Sequence, residues 1–240
     1  MSKIKVNTIE SSTGSIVAIG ANQTLDLAAG TTTTAPLEFA SGAFLTSATA
    51  GAVEYNGQIF TSSPVALKRG LIPSRMLRYN TATVTITNTL ATLQDWLGAV
   101  DVSVAASTAY RFKGFFRMSR IAGAVSHTVN LAFGGTATLT AINYLTIATT
   151  TTGDVLGTPQ MRYISVATTT PITAASTSTT ENNVVFMEGT VQINAAGTFI
   201  PQIAFATGAP GGDGTIAVGA YFEMTPIGVN NATINIGDWA

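Results

Sequence analysis

The chain has no cysteine among its 240 residues. That excludes disulfides, a thiolate nucleophile and any zinc site built on sulfur. Charge is scarce as well: Asp, Glu, Lys and Arg together make up 10% of residues and sum to a net −1, where ordinary domains carry about a quarter charged residues. So neutral a chain exerts no general pull on nucleic acid or acidic membranes. Mean hydropathy is +0.35, yet it comes from scattered Ala, Val and Ile, and no apolar run is long enough to span a bilayer. The opening Met1-Ser2-Lys3-Ile4-Lys5 has no apolar run behind it, so a secretory signal is not expected. Low charge also means little electrostatic protection against association. Much of the surface is therefore expected to be covered by sister subunits or by a larger assembly.

What the chain does have is β-structure. Threonine is about one residue in six, with abundant Gly and Ala; Thr and Val favour pleated backbone, and Gly and Ser mark turns. The first stretch, from Lys3 to about Leu71, offers almost nothing to bury. Ile4, Val6, Ile16, Val17, Ile19, Leu25 and Leu27 come as short alternating pairs cut apart by Ser11-Ser12-Thr13-Gly14, Gly20-Ala21-Asn22 and Gly30-Thr31-Thr32-Thr33-Thr34. Such strands cannot build a core alone. Identical chains wrapped round one axis can share a thin one. Residues 1–73 are thus expected to form a β-shaft intertwined with other copies of the chain. Within it, Asn56-Gly57 between Val53/Tyr55 and Ile59 predicts a tight hairpin with a type I′ turn. Pro64, Lys68-Arg69-Gly70 and Ile72-Pro73 read as a junction.

Residues 74–240 carry strand candidates at sandwich-like spacing. These are 82–87, 100–104, 109–118, 127–133, 136–145, 162–167, 183–194, 198–206, 216–224 and 233–236, with Gly- or Thr-rich breaks at 134–135, 149–153, 174–180 and 209–214. Thr89–Leu97 fits either a helix capped by Thr89 and stopped by Gly98 or an irregular turn. Two packed antiparallel sheets of jelly-roll type account for the pattern, so the fold class is all-β.

Candidate chemistry is thin. His127, the sole histidine, has no partner in a recognised motif, and a strand residue facing solvent or packed against Ser126 and Thr128 is expected. The carboxylates Asp95, Asp101, Asp154, Glu181, Glu188 and Glu223 show no spacing that specifies a glycosidase pair. Gly208-Ala209-Pro210-Gly211-Gly212-Asp213-Gly214 lacks the following Lys and helix of a phosphate loop and reads as a connection between strands, with Asp213 able to touch a cation or a sugar. No catalytic residue, cofactor or metal is assigned. One cluster stands out. In a strand, Arg111, Lys113, Phe115 and Arg117 share one face while Phe112, Phe116 and Met118 share the other. The second face is core; the first is a basic stripe round an aromatic, suited to an acidic neighbour or an anionic glycan, or else a solvated face with cross-strand partners. Charge is also uneven along the chain: eight of eleven bases lie from Lys68 to Arg120, and after Ile121 there is one, Arg162, against six acids. Such asymmetry could pair subunits, or merely give different surfaces different signs.

Several strings resemble the fibre proteins of tailed bacteriophages. Lys3-Ile4-Lys5-Val6-Asn7-Thr8-Ile9-Glu10-Ser11, Leu25-Asp26-Leu27, Pro36-Leu37, Ala50-Gly51-Ala52-Val53-Glu54-Tyr55-Asn56-Gly57 and Arg69-Gly70 are similar to their shaft segments. Ala109-Tyr110-Arg111-Phe112, Ser126-His127-Thr128, the 133–140 string, the 194–202 string and Gly219-Ala220-Tyr221-Phe222 through Pro226-Ile227-Gly228 are similar to a C-terminal domain of phage fibre and virion proteins. The resemblance implies a trimeric, β-rich virion component, made in the host cytoplasm: a tail fibre, a short head fibre or a capsid decoration protein. Its implied partners are its own copies, other capsid or tail proteins, and a host surface glycan or outer-membrane protein. A tailspike hydrolase is the rival from the enzyme class. A secreted lectin-like adhesin would need the leader that the opening residues do not suggest.

Overall fold

The computed structural model describes residues 24–27, 29–88, 91–98, 101–121, 125–151, 156–206, 211–233 and 236. The shaft strands expected before residue 24 lie outside the described residues. The chain divides into two compact units, Met1–Ala40 and Ser41–Ala240. In the first, the described residues form no strand. The Thr31 hydroxyl accepts bonds from the Thr33 and Thr34 amides (3.2 and 3.1 Å) and closes a local turn. The division falls ahead of the expected boundary at residue 73, so the hairpin region belongs with the second unit.

That region is a small antiparallel sheet of β1 (Val53–Tyr55), β2 (Phe60–Val65) and β3 (Lys68–Ile72). The hairpin is present, but its turn differs from the expected type I′. Asn56 does not take a positive φ; only Gly57 does, at 93°. The Asn56 side chain instead accepts from the amides of Gln58 (3.0 Å) and Ile59 (2.9 Å), an Asx turn that spreads the loop over four residues. Tyr55 and Phe60 stack across its base at 4.3 Å. The presumed junction is itself strand: Lys68-Arg69-Gly70 lies in β3, and Pro64 sits where the β2–β3 register shifts, a position that tolerates its missing N–H. The Gln58 amide reaches out of this sheet to Ser107 O and Thr108 Oγ1 at 2.9 and 3.1 Å.

The rest is a two-sheet architecture in which every pairing is antiparallel, and the described residues contain no helix. The larger sheet has eight strands: β4 (Met76–Tyr79), β5 (Val84–Ile86), β8 (Thr108–Ile121), β10 (Thr138–Thr151), β11 (Gln160–Ile164), β13 (Thr180–Ala195), β15 (Gly214–Ile216) and β16 (Tyr221–Val229). Across it the order runs β11-β10-β13-β8, after which β8 pairs with β15 near one end and with β16 near the other; β16 then pairs with β4. The smaller sheet joins β6 (Gln94–Asp95), β7 (Val102–Val104), β9 (Thr128–Gly134), β12 (Thr170–Pro171) and β14 (Gly197–Ala206).

Aromatic rings fill the space between. Phe112 on β8 meets Phe133, Tyr144, Phe199 and Phe222 with centroids 5.2–6.3 Å apart, and Trp96 meets Phe116 at 4.8 Å. The alternation expected of β8 holds: Phe112, Phe116 and Met118 are fully buried. Gly114 lies in the same inward row because Met187 and Phe222 leave only 3.1 Å to an added Cβ.

Several boundaries moved for local reasons. The threonine run at 149–153, expected as a break, continues β10 to Thr151, as β-branched residues permit. The expected strand 216–224 is two strands, split by a turn in which Gly219 has φ 92°. In the ambiguous 89–97 segment, the described residues are not helical. Gln94 and Asp95 pair with Ile203 and Gln202 in the smaller sheet, and Trp96, buried like Leu97, packs on Phe116 and Phe222 of the larger one.

Truncating Phe112 to alanine should cost about 3–5 kcal/mol, as expected for a large aromatic removed from a packed core. Arg117→Ala, on the opposite face of the same strand, should stay within about 0.5 kcal/mol. Urea unfolding of the two variants at neutral pH checks the assignment of faces; equal losses would contradict it.

Candidate functional site

Strand β8 places Arg111, Lys113, Phe115 and Arg117 together on the outer face of the larger sheet, as their spacing predicts. The stripe is not a row of open cations, however. β13 lies alongside in a register that puts Glu188 opposite Lys113. The Arg111 Nε donates to Glu188 Oε1 at 3.0 Å and its Nη2 to the same oxygen; Lys113 Nζ is 3.7 Å from the other oxygen. Bonding from Arg111 holds the Glu188 carboxyl below its ordinary range against a smaller opposing effect of burial, with the charges of Arg111 and Lys113 adding to it. On the other flank β16 sets Glu223 opposite Lys113, and Arg75 bridges to Glu223 at 3.2 Å. Arg117 donates to Asn182 Oδ1 at 2.8 Å.

The charge asymmetry along the chain is therefore met inside one subunit. The basic strand β8 lies between two later, acid-bearing strands, and the described late acids are engaged at home: Glu188 and Glu223 as above, Glu181 in a buried cluster, and Asp213 accepting from the Asn88 amide at 2.9 Å. That bond also gives Asp213 a structural role in its loop. Of the other carboxylates, Asp95 accepts from Gln202 at 2.9 Å, Asp101 is exposed, and Asp154 lies outside the described residues.

Phe115 belongs to a longer feature. Following the registers outward from it, Met161, Ile147, Phe186, Phe115, Tyr221 and Tyr79 stand opposite one another across six strands. Phe115 stacks on Tyr221 at 6.1 Å, while Met161 and Tyr79 at the ends are 64% and 51% exposed. An apolar row bordered by satisfied ion pairs has the anatomy of a protein contact surface, with an apolar centre and a polar rim. Each strand contributes one member to it, so no single segment of sequence displays it. A cleft of about 320 Å³ opens beside the row, lined by Leu71, Pro73, Arg75, Arg111, Lys113 and Glu223 among others.

His127 departs from its expected setting. It is neither solvent-facing nor held by Ser126 and Thr128, but buried. Its Nε2 donates to Glu181 Oε1 at 2.8 Å, and its Nδ1 is 2.9 Å from Val125 O and 3.3 Å from Arg120 Nη2. Glu181 also accepts from Ser176 Oγ (2.7 Å) and Asn183 Nδ2 (3.1 Å) and lies 3.5 Å from Arg120 Nε. Arg120 and Glu181 are cross-strand partners in β8 and β13, whereas His127, just before β9, and Ser176, a few residues after β12, form an isolated bridge. The cluster thus ties one sheet to the other. Its order is Ser–Glu–His with the acid in the middle. A nucleophilic serine needs the imidazole adjacent to take its proton, so this arrangement is an internal brace. Nothing in the spacing of residues 120, 127 and 181 announces it.

Burial pushes the Glu181 carboxyl upward, but the bonds from His127, Ser176 and Asn183 and the charge of His127 outweigh it, and it ionises below the ordinary 4.5. A depressed carboxyl stabilises the fold at pH above its unfolded value, and that contribution is lost as pH falls through the folded one. Glu181→Gln, which removes the carboxylate that Arg120 faces in the buried cluster, should cost about 3–5 kcal/mol at neutral pH. The gap between wild type and variant in urea titrations should narrow as pH drops below 4.5. A gap unchanged with pH would contradict the assignment.

No protein-family model matches the chain, and no curated protein matches it. Among solved structures, one titled "Structure of infectious bursal disease virus Gt strain" aligns with 72% of this chain and 48% of its own, at 9% identity and a TM-score of 0.17. Agreement that low establishes no shared fold.

Proposed function

We propose that the chain is a structural protein of a tailed-bacteriophage virion, a homotrimeric fibre or capsid decoration protein that acts by attachment and multivalent contact and not by catalysis. One observation carries this reading. In the stretch 24–45 the large apolar side chains Leu25, Leu27, Leu37, Phe39 and Leu45 are 40–61% exposed, and none of the described residues from 24 to 50 belongs to a strand. Apolar surface left in water is unfavourable by about 25 cal/mol per Å². A shaft of three wound copies would cover it. The antiparallel sandwich then serves as a head of jelly-roll type, and three heads turn weak contacts into avidity. The apolar row through Phe115 and the cleft beside Arg75 suit such contacts.

The same cleft, with Arg75, Arg111 and Lys113 on its wall, favours a second reading: a receptor-binding tail fibre that touches an anionic host glycan. Glycan hydrolysis would call for a carboxyl raised to serve as general acid, the reverse of what Arg111 does to Glu188.

Native mass spectrometry of the full chain at micromolar concentration should report three copies, and a monomer would overturn the shared-core reading. Antibody-gold labelling of intact phage particles should decorate heads or tails. Oligosaccharide released from host polysaccharide, and lost on Glu188→Gln or Glu223→Gln, would move the protein to the tailspike hydrolases.

A further inference from the structure

Among the described residues, β11 (Gln160–Ile164) closes one side of the larger sheet and pairs only with β10. An open edge presents unpaired N–H and C=O groups, which native proteins blunt with charged side chains, a bulge, a proline or an inward-pointing charge. β11 has no bulge and no proline, and its one charge, Arg162, alternates away from the exposed face. Met161 and Tyr163 point outward and are 64% and 72% exposed, and Leu145, opposite Tyr163 on β10, is 40% exposed. Leu156 and Val166, which flank the strand in sequence, are 56% and 47% exposed. Between the two outward residues stands Arg162, the sole base after Ile121. Its Nε is buried and finds no acceptor among the described residues. A buried guanidinium N–H without an acceptor is costly, so the edge lacks both a strand and a carboxylate.

The occupant must be an extended segment with an acid between two apolar residues. Alternation then sets its apolar pair beside Met161 and Tyr163 and its acid beside Arg162, in either strand direction. A second β11 does not qualify, because it would bring Arg162 against Arg162. This chain carries the required pattern at Leu25-Asp26-Leu27. Its three residues are exposed and outside any strand, with Leu25 at 61% and Leu27 at 41%. We infer that the Leu25-Asp26-Leu27 segment of a second copy adds as a strand to the open edge of β11, with Asp26 meeting Arg162. This rests on the proposed multi-copy assembly and places Leu25 and Leu27 on a neighbouring copy's sheet, leaving Leu37, Phe39 and Leu45 to the wound shaft. Main-chain bonding supplies the affinity of such strand addition and the alternate side chains its selectivity.

The absence of cysteine permits a direct test in the full-length protein. In an Asp26→Cys/Arg162→Cys double variant, mild oxidation should link separate chains into dimers and larger species on non-reducing gels. Separately, Asp26→Arg and Arg162→Asp should each weaken association by about tenfold or more, as like charges set face to face do at an interface. Combining them should restore it. Asp26 is exposed, so Asp26→Arg stays informative even if Arg162→Asp fails to fold. If wild type is multi-copy but the double cysteine variant gives no disulfide, or only one within a chain, the inference is overturned and the assembly reading stands. Association unaffected by Asp26→Arg overturns it equally. A monomeric wild type removes both.

Discussion

The register of β8 is the constraint on which the rest depends. This strand is paired along its fourteen residues with β13 on one side and shared between β15 and β16 on the other. A slip of one residue would turn Phe112, Phe116 and Met118 to solvent and drive Arg111, Lys113 and Arg117 into the aromatic core. With Phe112 touching four other rings, and charges that cannot be buried unpaired, only one register survives. Once it is fixed, Arg120 meets Glu181 and Arg111 meets Glu188 without further choice.

A chain with so few charges spends them internally. The described late acids are engaged by the basic strand (Glu188), by Arg75 (Glu223), by the Asn88 amide (Asp213) or in the buried brace of Arg120, Glu181, His127 and Ser176. Beside its few exposed charges, the outside carries apolar surface: the row from Met161 to Tyr79, the leucines near the start, and the edge of β11. Those surfaces are of the kind that seek cover. Low charge is therefore more than a compositional curiosity, because it leaves the molecule little to resist association.

Much of the β-content was legible. Alternation gave β8 its two faces because a single strand contains both sets of residues, and Asn56-Gly57 marked a hairpin because turn chemistry is local. The turn type was missed since Asn56 can either adopt a positive φ or cap two amides with its side-chain Oδ1, and the sequence does not choose. Thr149–Thr151 looked like a break only because threonine suits strands and loops alike. The partners of His127 were out of reach for a different reason: Glu181 comes beside it across 54 residues of chain, through the pairing that sets Glu181 opposite Arg120.

The sequence by itself determined that this is a β-protein without thiol chemistry, that β8 has a core face and a basic face, and that its opening segment cannot bury its own leucines. Each follows from composition or from a period of two within one segment. Only the tertiary structure decided that Glu188 engages Arg111 and Lys113 on the basic face, that the lone histidine braces two sheets, and that, among the described residues, β11 pairs on one side alone. Those outcomes depend on which distant strands become neighbours, and strand order is set by how the whole core packs.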